Sequence, residues 1–297
     1  IGSGSFGEVF AGVDRRNGDE VAVKVESSQA KTPKLMQEAK IYKGLNGRPG
    51  FAKLRHCSME ARRNVLVVDL LGASLDEVFN LCGRRFSFKT VCMLGEQIVE
   101  RLENLHELGW IHRDLKPGNL LLGPGGGEES SLVHLIDFGL AKRFRDSAGQ
   151  HIDFKQTKTV KGTFRYCSLN ASKANEQSRR DDLEALGLVL VYFLRGELPW
   201  QGPRKAFTRR VQLETLVQAK ESTSLVDLCS DLDGGEVLLE YLNYCRRLDF
   251  KECPDYNYLR RLFADAMEKR GEHFDMVFDW VQRASPCLSV GSSEASN

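Results

Sequence analysis

The chain has 297 residues, 41% of them hydrophobic and 28% charged, a balance that excludes a disordered chain, a disulfide-stapled miniprotein and a bundle of membrane helices. Lys and Arg number 42 against 41 Asp and Glu, and the resulting +1 argues against a surface built throughout for nucleic acid. At about 150 residues per domain, the length allows one or two domains whose core needs no staples. The eight cysteines (Cys57, Cys82, Cys92, Cys167, Cys229, Cys245, Cys253, Cys287) are scattered, with neither a Cys-x-x-Cys pair nor a zinc spacing. They read as reduced thiols, which points to the cytosol or nucleus. The longest apolar stretch, Leu183 to Leu194, covers 12 residues including Glu184, too short to span a bilayer, so no membrane insertion is expected. No signal peptide is recognisable, and an opening at Ile1 in place of Met reads as a fragment with a shortened first strand.

The first seventy residues read as strands, with apolar alternation over Glu8 to Val13 and Glu20 to Val25. The link Arg15-Arg16-Asn17-Gly18-Asp19 carries Asn-Gly, a strong hairpin signal, so antiparallel pairing is expected. The spacing predicts a helix over about Lys34 to Leu45, where Leu35, Glu38, Tyr42 and Leu45 fall at i, i+3, i+7 and i+10 and share a face. A strand over Val65 to Leu70 then runs into Gly72-Ala73, where the pattern turns mainly helical. Ser87 is a candidate N-cap for a helix carrying Val91, Leu94, Ile98, Leu102 and Leu105 and closing at Gly109. Leu120 to Leu122 and Val133 to Ile136 read as short strands around a loose loop, Gly123 to Ser131. Leu183 to Leu194 is apolar nearly all round, which predicts a helix at the centre of a domain. The Ser-rich stretch Ser285 to Asn297 lacks periodicity and is expected to be a disordered tail; no internal repeat is visible.

Gly2-Ser3-Gly4-Ser5-Phe6-Gly7-Glu8-Val9 is a G-x-G-x-x-G-x-V loop, whose backbone N–H groups can approach phosphates without side chains intervening. A dinucleotide fold would have this loop open a helix and place an acidic residue about 20 positions on. Here the loop runs into a strand, and Lys24 stands 22 residues after Gly2, able to neutralise the phosphates the loop covers. Buried among apolar neighbours, Lys24 needs a partner. Glu38 is the candidate; a solvated Glu38 beside Lys34 is the alternative, and the remaining motifs favour the pairing. His112-Arg113-Asp114-Leu115-Lys116-Pro117-Gly118-Asn119 is followed, 23 positions after Asp114, by Asp137-Phe138-Gly139. Phosphoryl transfer needs a carboxylate for the hydroxyl proton, oxygens for Mg²⁺ and cations for the transferred charge. Asp114, then Asn119 with Asp137, then Lys24 with Lys116 supply them.

On these motifs the sequence resembles the eukaryotic protein kinases over nearly its whole length. Within them it is similar to the casein kinase 1 family, on Ser168-Leu169-Asn170 in place of Ala-Pro-Glu, on Glu176 to Glu184 (EQSRRDDLE), and on Leu198-Pro199-Trp200-Gln201-Gly202. The resemblance implies an α+β bilobal fold: a small antiparallel lobe over residues 1–71, a mainly helical lobe over 72–284 and the tail over 285–297. It implies ATP with Mg²⁺, or Mn²⁺, as cofactors. The nucleotide is expected against Ile1, Gly2, Ser3, Gly4, Ser5, Phe6, Gly7, Val9, Ala22, Lys24, Val68, Asp69, Leu70, Leu71, Leu122 and Ile136, with Val68 gating the back and Asp69 to Leu71 offering backbone hydrogen bonds to adenine. Catalytic positions carried over are Asp114, Lys116, Lys24 and Glu38, and metal positions Asn119 and Asp137.

Lys116, two residues after Asp114, matches serine/threonine kinases and not tyrosine kinases. Between Leu140 and Arg180 stand ten Lys/Arg against three Asp/Glu, which suits acidic or phosphorylated protein substrates, unless the cations are solvated or, like Arg179 and Arg180, held by Asp181 and Asp182. The family's anion site maps to Arg165, Gly202, Arg209 and Arg210. One extra residue follows Gly202, and Gln212 falls where a second anion-binding lysine is usual. Val68 stands for a common Met, which implies a roomier back pocket; Gly118 stands for Asp and Phe164 for Ala, and the Gly123 to Ser131 loop is long. Thr157, Thr159 and Thr163 lie in the activation segment, yet the resemblance implies a constitutively active monomer. The tail serines could serve as a phosphorylated pseudosubstrate. A scaffold that only docks partners would have lost the Lys or one of the two Asp residues, and none is lost here. A nucleic-acid binder would need aromatic platforms or a reading helix, which are missing from the pattern.

Overall fold

The computed structural model describes residues 1–4, 7–29, 33–60, 62–125, 128–157, 159–201 and 209–284. Alternation and turn chemistry build the first layer. Strands β1 (Gly2–Gly4), β2 (Gly7–Val13) and β3 (Glu20–Ser27) form antiparallel neighbours, and the β2–β3 turn closes with the Gly18 N–H donating to the Asp14 carbonyl at 2.8 Å. Gly18 sits at φ +80°, in the region that favours glycine.

Helix α1 (Leu35–Leu45) buries Leu35, Glu38, Tyr42 and Leu45, the face read from the spacing. No side chain at its N-cap closes it; the Glu26 carboxylate of β3 accepts from the Lys34 and Leu35 N–H groups at 2.8 and 3.2 Å. A carboxylate there satisfies orphan donors and complements the helix dipole. Strands β4 (Leu54–Met59) and β5 (Arg63–Asp69) complete a five-stranded sheet in the order β1-β2-β3-β5-β4. Strand β4 is absent from the sequence reading because its register shifts between Leu54 and His56, so no clean alternation is printed in its residues.

Helix α2 (Leu75–Leu81) opens on a capping box between Ser74 and Glu77, and α3 (Phe88–Glu107) opens on the expected Ser87, whose hydroxyl accepts from the Thr90 N–H at 3.2 Å. Short strands β6 (Trp110–Ile111), β7 (Leu120–Leu122), β8 (Val133–Leu135) and β9 (Lys142–Arg143) pair as β6 with β9 and β7 with β8. The insert between β7 and β8 is not all loose, since Glu128–Ser131 forms a 3-10 turn. After α4 (Leu169–Ser172), helix α5 (Arg179–Arg195) buries every residue from Leu183 to Leu194 at the centre of the helical lobe. Helices α6 (Arg209–Ser222), α7 (Leu225–Cys229), α8 (Gly235–Arg247), α9 (Tyr256–Lys269) and α10 (Asp279–Ala284) follow; α9 packs on α3 and α8 on α5. The result is an α+β molecule of two lobes, sheet and helical.

None of the seven cysteines among the described residues is in a disulfide. None of the described helices is long and apolar enough to cross a membrane. The expected tail, residues 285–297, lies outside the described residues, as do Ser5 and Phe6 of the glycine loop.

Candidate active site

A cleft of 1170 Å³ separates the sheet from the helical lobe. Pairing fixes what faces it: Lys24 of β3 lies opposite Val9 of β2 and Leu66 of β5, and Ala22 opposite Val68, so all five share one face of the sheet. With Ile1, Gly7, Asp69, Leu70, Leu71 and Ile136 they line the cleft. The expectation for Leu122 is off by one residue. Leu121 lines the cleft, while Leu122, 7% exposed, turns into the core, because a strand sends alternate side chains to opposite faces. Of the expected adenine-binding backbone, the Asp69 and Leu70 N–H groups already donate to the Lys53 and Glu20 carbonyls at 3.2 and 3.3 Å. Leu71 has no such bond among the described residues.

Lys24 is paired, as the motifs favoured. Its Nζ donates to both Glu38 oxygens at 2.8 and 2.9 Å and to Asp137 Oδ1 at 2.9 Å. Burial alone would lower the Lys24 pKa; Glu38 and Asp137 outweigh it and raise it. Burial also pushes the Glu38 carboxyl up to about 7 against the pull of Lys24. For Asp137 burial is outweighed by Lys24, which holds the carboxyl below its ordinary value. Asp137 stands at φ +64°, a conformation that aims it into the cleft while Phe138 goes fully into the core, edge-on to Tyr42 at 4.9 Å.

The facing loop is held from below. The Asp182 carboxylate of α5 accepts from the His112 and Arg113 N–H groups at 2.7 and 2.8 Å and contacts His106 Nε2 at 2.9 Å. Burial would raise the Asp182 pKa, but His106 and these donors lower it, and burial keeps His106 neutral by lowering its own. A neutral His106 donates from Nε2 and accepts the Tyr256 hydroxyl at Nδ1, 2.7 Å away. Arg113 at φ +67° turns the chain, and Gly162 approaches so closely that a Cβ there would meet the Arg113 carbonyl at 2.3 Å.

Asp114 emerges from this loop with Lys116 Nζ at 3.1 Å on Oδ2 and the Thr163 hydroxyl at 2.7 Å on Oδ1. Asn119 donates its amide Nδ2 to the Asp114 carbonyl at 2.9 Å. Its carboxamide oxygen is thereby left for another ligand, as is Asp137 Oδ2. Few protein oxygens of this kind suit a magnesium or manganese ion that takes its other ligands from phosphates and water, so the donor set fits the expected metal.

Asp182, Thr163 and Leu121 were not singled out from the sequence as site residues. An acidic residue opening a wholly apolar helix was the available signal for Asp182, because a buried carboxylate demands donors. The reading of Arg179 and Arg180 as held by Asp181 and Asp182 holds only for Arg180, whose Nε lies 4.0 Å from Asp181 Oδ2, and is corrected for the rest. Arg179 donates to the Lys251 and Glu252 carbonyls at 2.8 and 2.9 Å, Arg180 to the Leu248 carbonyl at 2.6 Å, and Asp181 accepts from Ser168 and Ser178.

The basic segment is partly neutralised. Glu176, 2% exposed, pairs with Lys142 at 2.7 Å and Lys155 at 3.9 Å, while Arg143, Arg145 and Lys161 face solvent. Of the expected anion-site residues, Arg165 lies half-buried over the Tyr166 ring. Gly202 is outside the described residues; Arg209 and Arg210 open α6, and their side chains are likewise outside. A family model described as "Protein kinase domain" matches residues 1–249, from the glycine loop through α8.

Proposed function

Since the chain belongs to the protein kinase domain family, whose activity is phosphoryl transfer from ATP to protein, we propose that it is a casein kinase 1-like serine/threonine kinase acting on acidic or phospho-primed substrates. The observation that carries the reading is the convergence of Lys24, Asp137, Asp114 and Lys116 on one cleft.

Ala22, Leu121 and Ile136 would hold the adenine of ATP, and Lys24, which Glu38 orients, would hold its phosphates. Asp137 and the Asn119 carboxamide oxygen would hold magnesium, which would supply positive charge against the phosphate oxygens. Asp114 Oδ accepts the proton of the acceptor hydroxyl as its oxygen bonds to the γ-phosphorus, and the bond to the leaving ADP oxygen breaks. Lys116 offsets the charge on the transferred group. Thr163, by donating to Asp114, fixes the carboxylate that must face the acceptor.

The Ser/Thr preference is supported by Lys116, and the acidic-substrate preference by Arg165 and the exposed cations around it. The test is label transfer from Mg-ATP to paired peptides, one with phosphoserine three residues before the acceptor serine and one with serine there, with phosphoamino-acid analysis. Faster labelling of the primed peptide, on serine, is expected. Equal rates would discard priming, and labelling of tyrosine peptides alone would discard the Ser/Thr assignment.

A further inference from the structure

Away from the cleft, one buried lysine has no carboxylate partner among the described residues. Lys220 of α6 is 2% exposed, and among the described residues no carboxylate stands within ion-pair distance of it. An ammonium so placed is costly unless its geometry is used. Its Nζ donates to the Cys167 carbonyl at 2.5 Å, lies 3.7 Å from Cys167 Sγ, and sits 5.3 Å from the centre of the Trp200 ring. Trp200 in turn donates its indole N–H to the Arg165 carbonyl at 2.8 Å.

The carbonyls on either side of Tyr166 are thus each held by a side chain from beyond α5, and the two side chains lie against each other. The held stretch has fixed ends. Thr163 is bonded to Asp114 at one of them, and Ser168 caps α4 at the other, its hydroxyl accepting from the Ala171 N–H at 3.0 Å. It therefore runs directly away from the group that faces the acceptor hydroxyl. Neither Lys220 nor Trp200 lines the nucleotide cleft.

We propose that Lys220 and Trp200 are positioning residues for the protein substrate, clamping residues 163–168 so that this strip and the Arg165 guanidinium present a fixed docking edge beside the acceptor. The inference rests on the kinase reading above, and it assigns the clamp to peptide binding and not to ATP.

The test compares wild type, Lys220→Met and Trp200→Phe, using an acidic serine peptide and its phosphoserine-primed form, together with hydrogen exchange over 163–168. Each variant is expected to raise the peptide KM about tenfold, with kcat and the ATP KM within about twofold, and to speed exchange in that strip. Because the two side chains act on one strip, the double variant should fall short of the product of the single effects. A merely structural role would lower the thermal midpoint and the active fraction without moving the peptide KM, and that result overturns the clamp. Should Lys220→Met fail to fold, Trp200→Phe decides alone. A wild type that labels no peptide overturns the kinase reading instead, and exchange then judges the clamp: unchanged protection of 163–168 in the variants overturns it, and faster exchange there supports it.

Discussion

The sheet side of the cleft holds its functional group by ion pairs between side chains, whereas the helical side holds its loop by hydrogen bonds from main-chain N–H groups to a buried carboxylate. Lys24, Glu38 and Asp137 come from three separate elements, and a shift of α1 or of the Asp137 loop would part them. Asp182 instead reaches up from the first turn of α5, 1% exposed, and two consecutive amides at the start of the catalytic loop end on it. Both halves are built on buried charge, with Glu38 1% and the Lys24 side chain 16% exposed, and parting a buried pair or depriving a buried carboxylate of its donors costs several kcal/mol. The ion-paired half grips the nucleotide, and the half bonded through main-chain amides positions the group that receives the proton.

Breaking the amide-bonded half, where two main-chain donors share one carboxylate, should have the larger effect. Asp182→Asn sets an amide against two backbone donors and the neutral His106; it is expected to cost about 3 kcal/mol of stability and to abolish transfer together with it. Thermal unfolding and a transfer assay on one preparation check this. A variant that melts like wild type yet transfers normally would remove the distinction between the halves.

Glu38→Gln should act on the ion-paired half alone, lowering kcat/KM for ATP by about tenfold to a hundredfold with little change in unfolding, since Lys24 keeps Asp137. The same variant sharpens the pH dependence. As pH falls through about 7, Glu38 takes up a proton and releases Lys24, so wild-type kcat/KM for ATP drops. Its folded pKa lies above the ordinary value of 4.5, so the folded state binds the extra proton. The stability cost of this carboxylate is thus full above about 7 and relieved as pH falls toward 4.5, opposite in sign to the effect on activity. Profiles of wild type minus Glu38→Gln isolate that group from His106, whose depressed pKa makes stability fall with acid. An identical acid limb in the variant would assign it elsewhere.

What could be read from the residues alone divides along similar lines. Local chemistry was legible: the glycine loop, the Asn17-Gly18 hairpin and the all-apolar α5 each carry their cause within a few residues. What required tertiary contact was not. Leu121 and Leu122 are equally apolar, and only the pairing of β7 with β8 and the packing beneath it decides which one faces the cleft. Strand β4 hides behind a register shift, and Thr163 meets Asp114 across 49 residues. Lys220 carries no signal in the sequence and Trp200 enters only through the Leu198 to Gly202 motif, and their grip on Cys167 and Arg165 appears only once α6 is docked.

The most direct measurement of the central claim is transfer of labelled γ-phosphate from Mg-ATP to a serine peptide by wild type and by Asp114→Asn, with ATP affinity measured on both. The account predicts labelling by wild type, at least about a thousandfold less by the variant, and equal ATP affinity, since Asp114 acts on the acceptor and not on the nucleotide. An inert wild type, or a variant that transfers as fast as wild type, would contradict it.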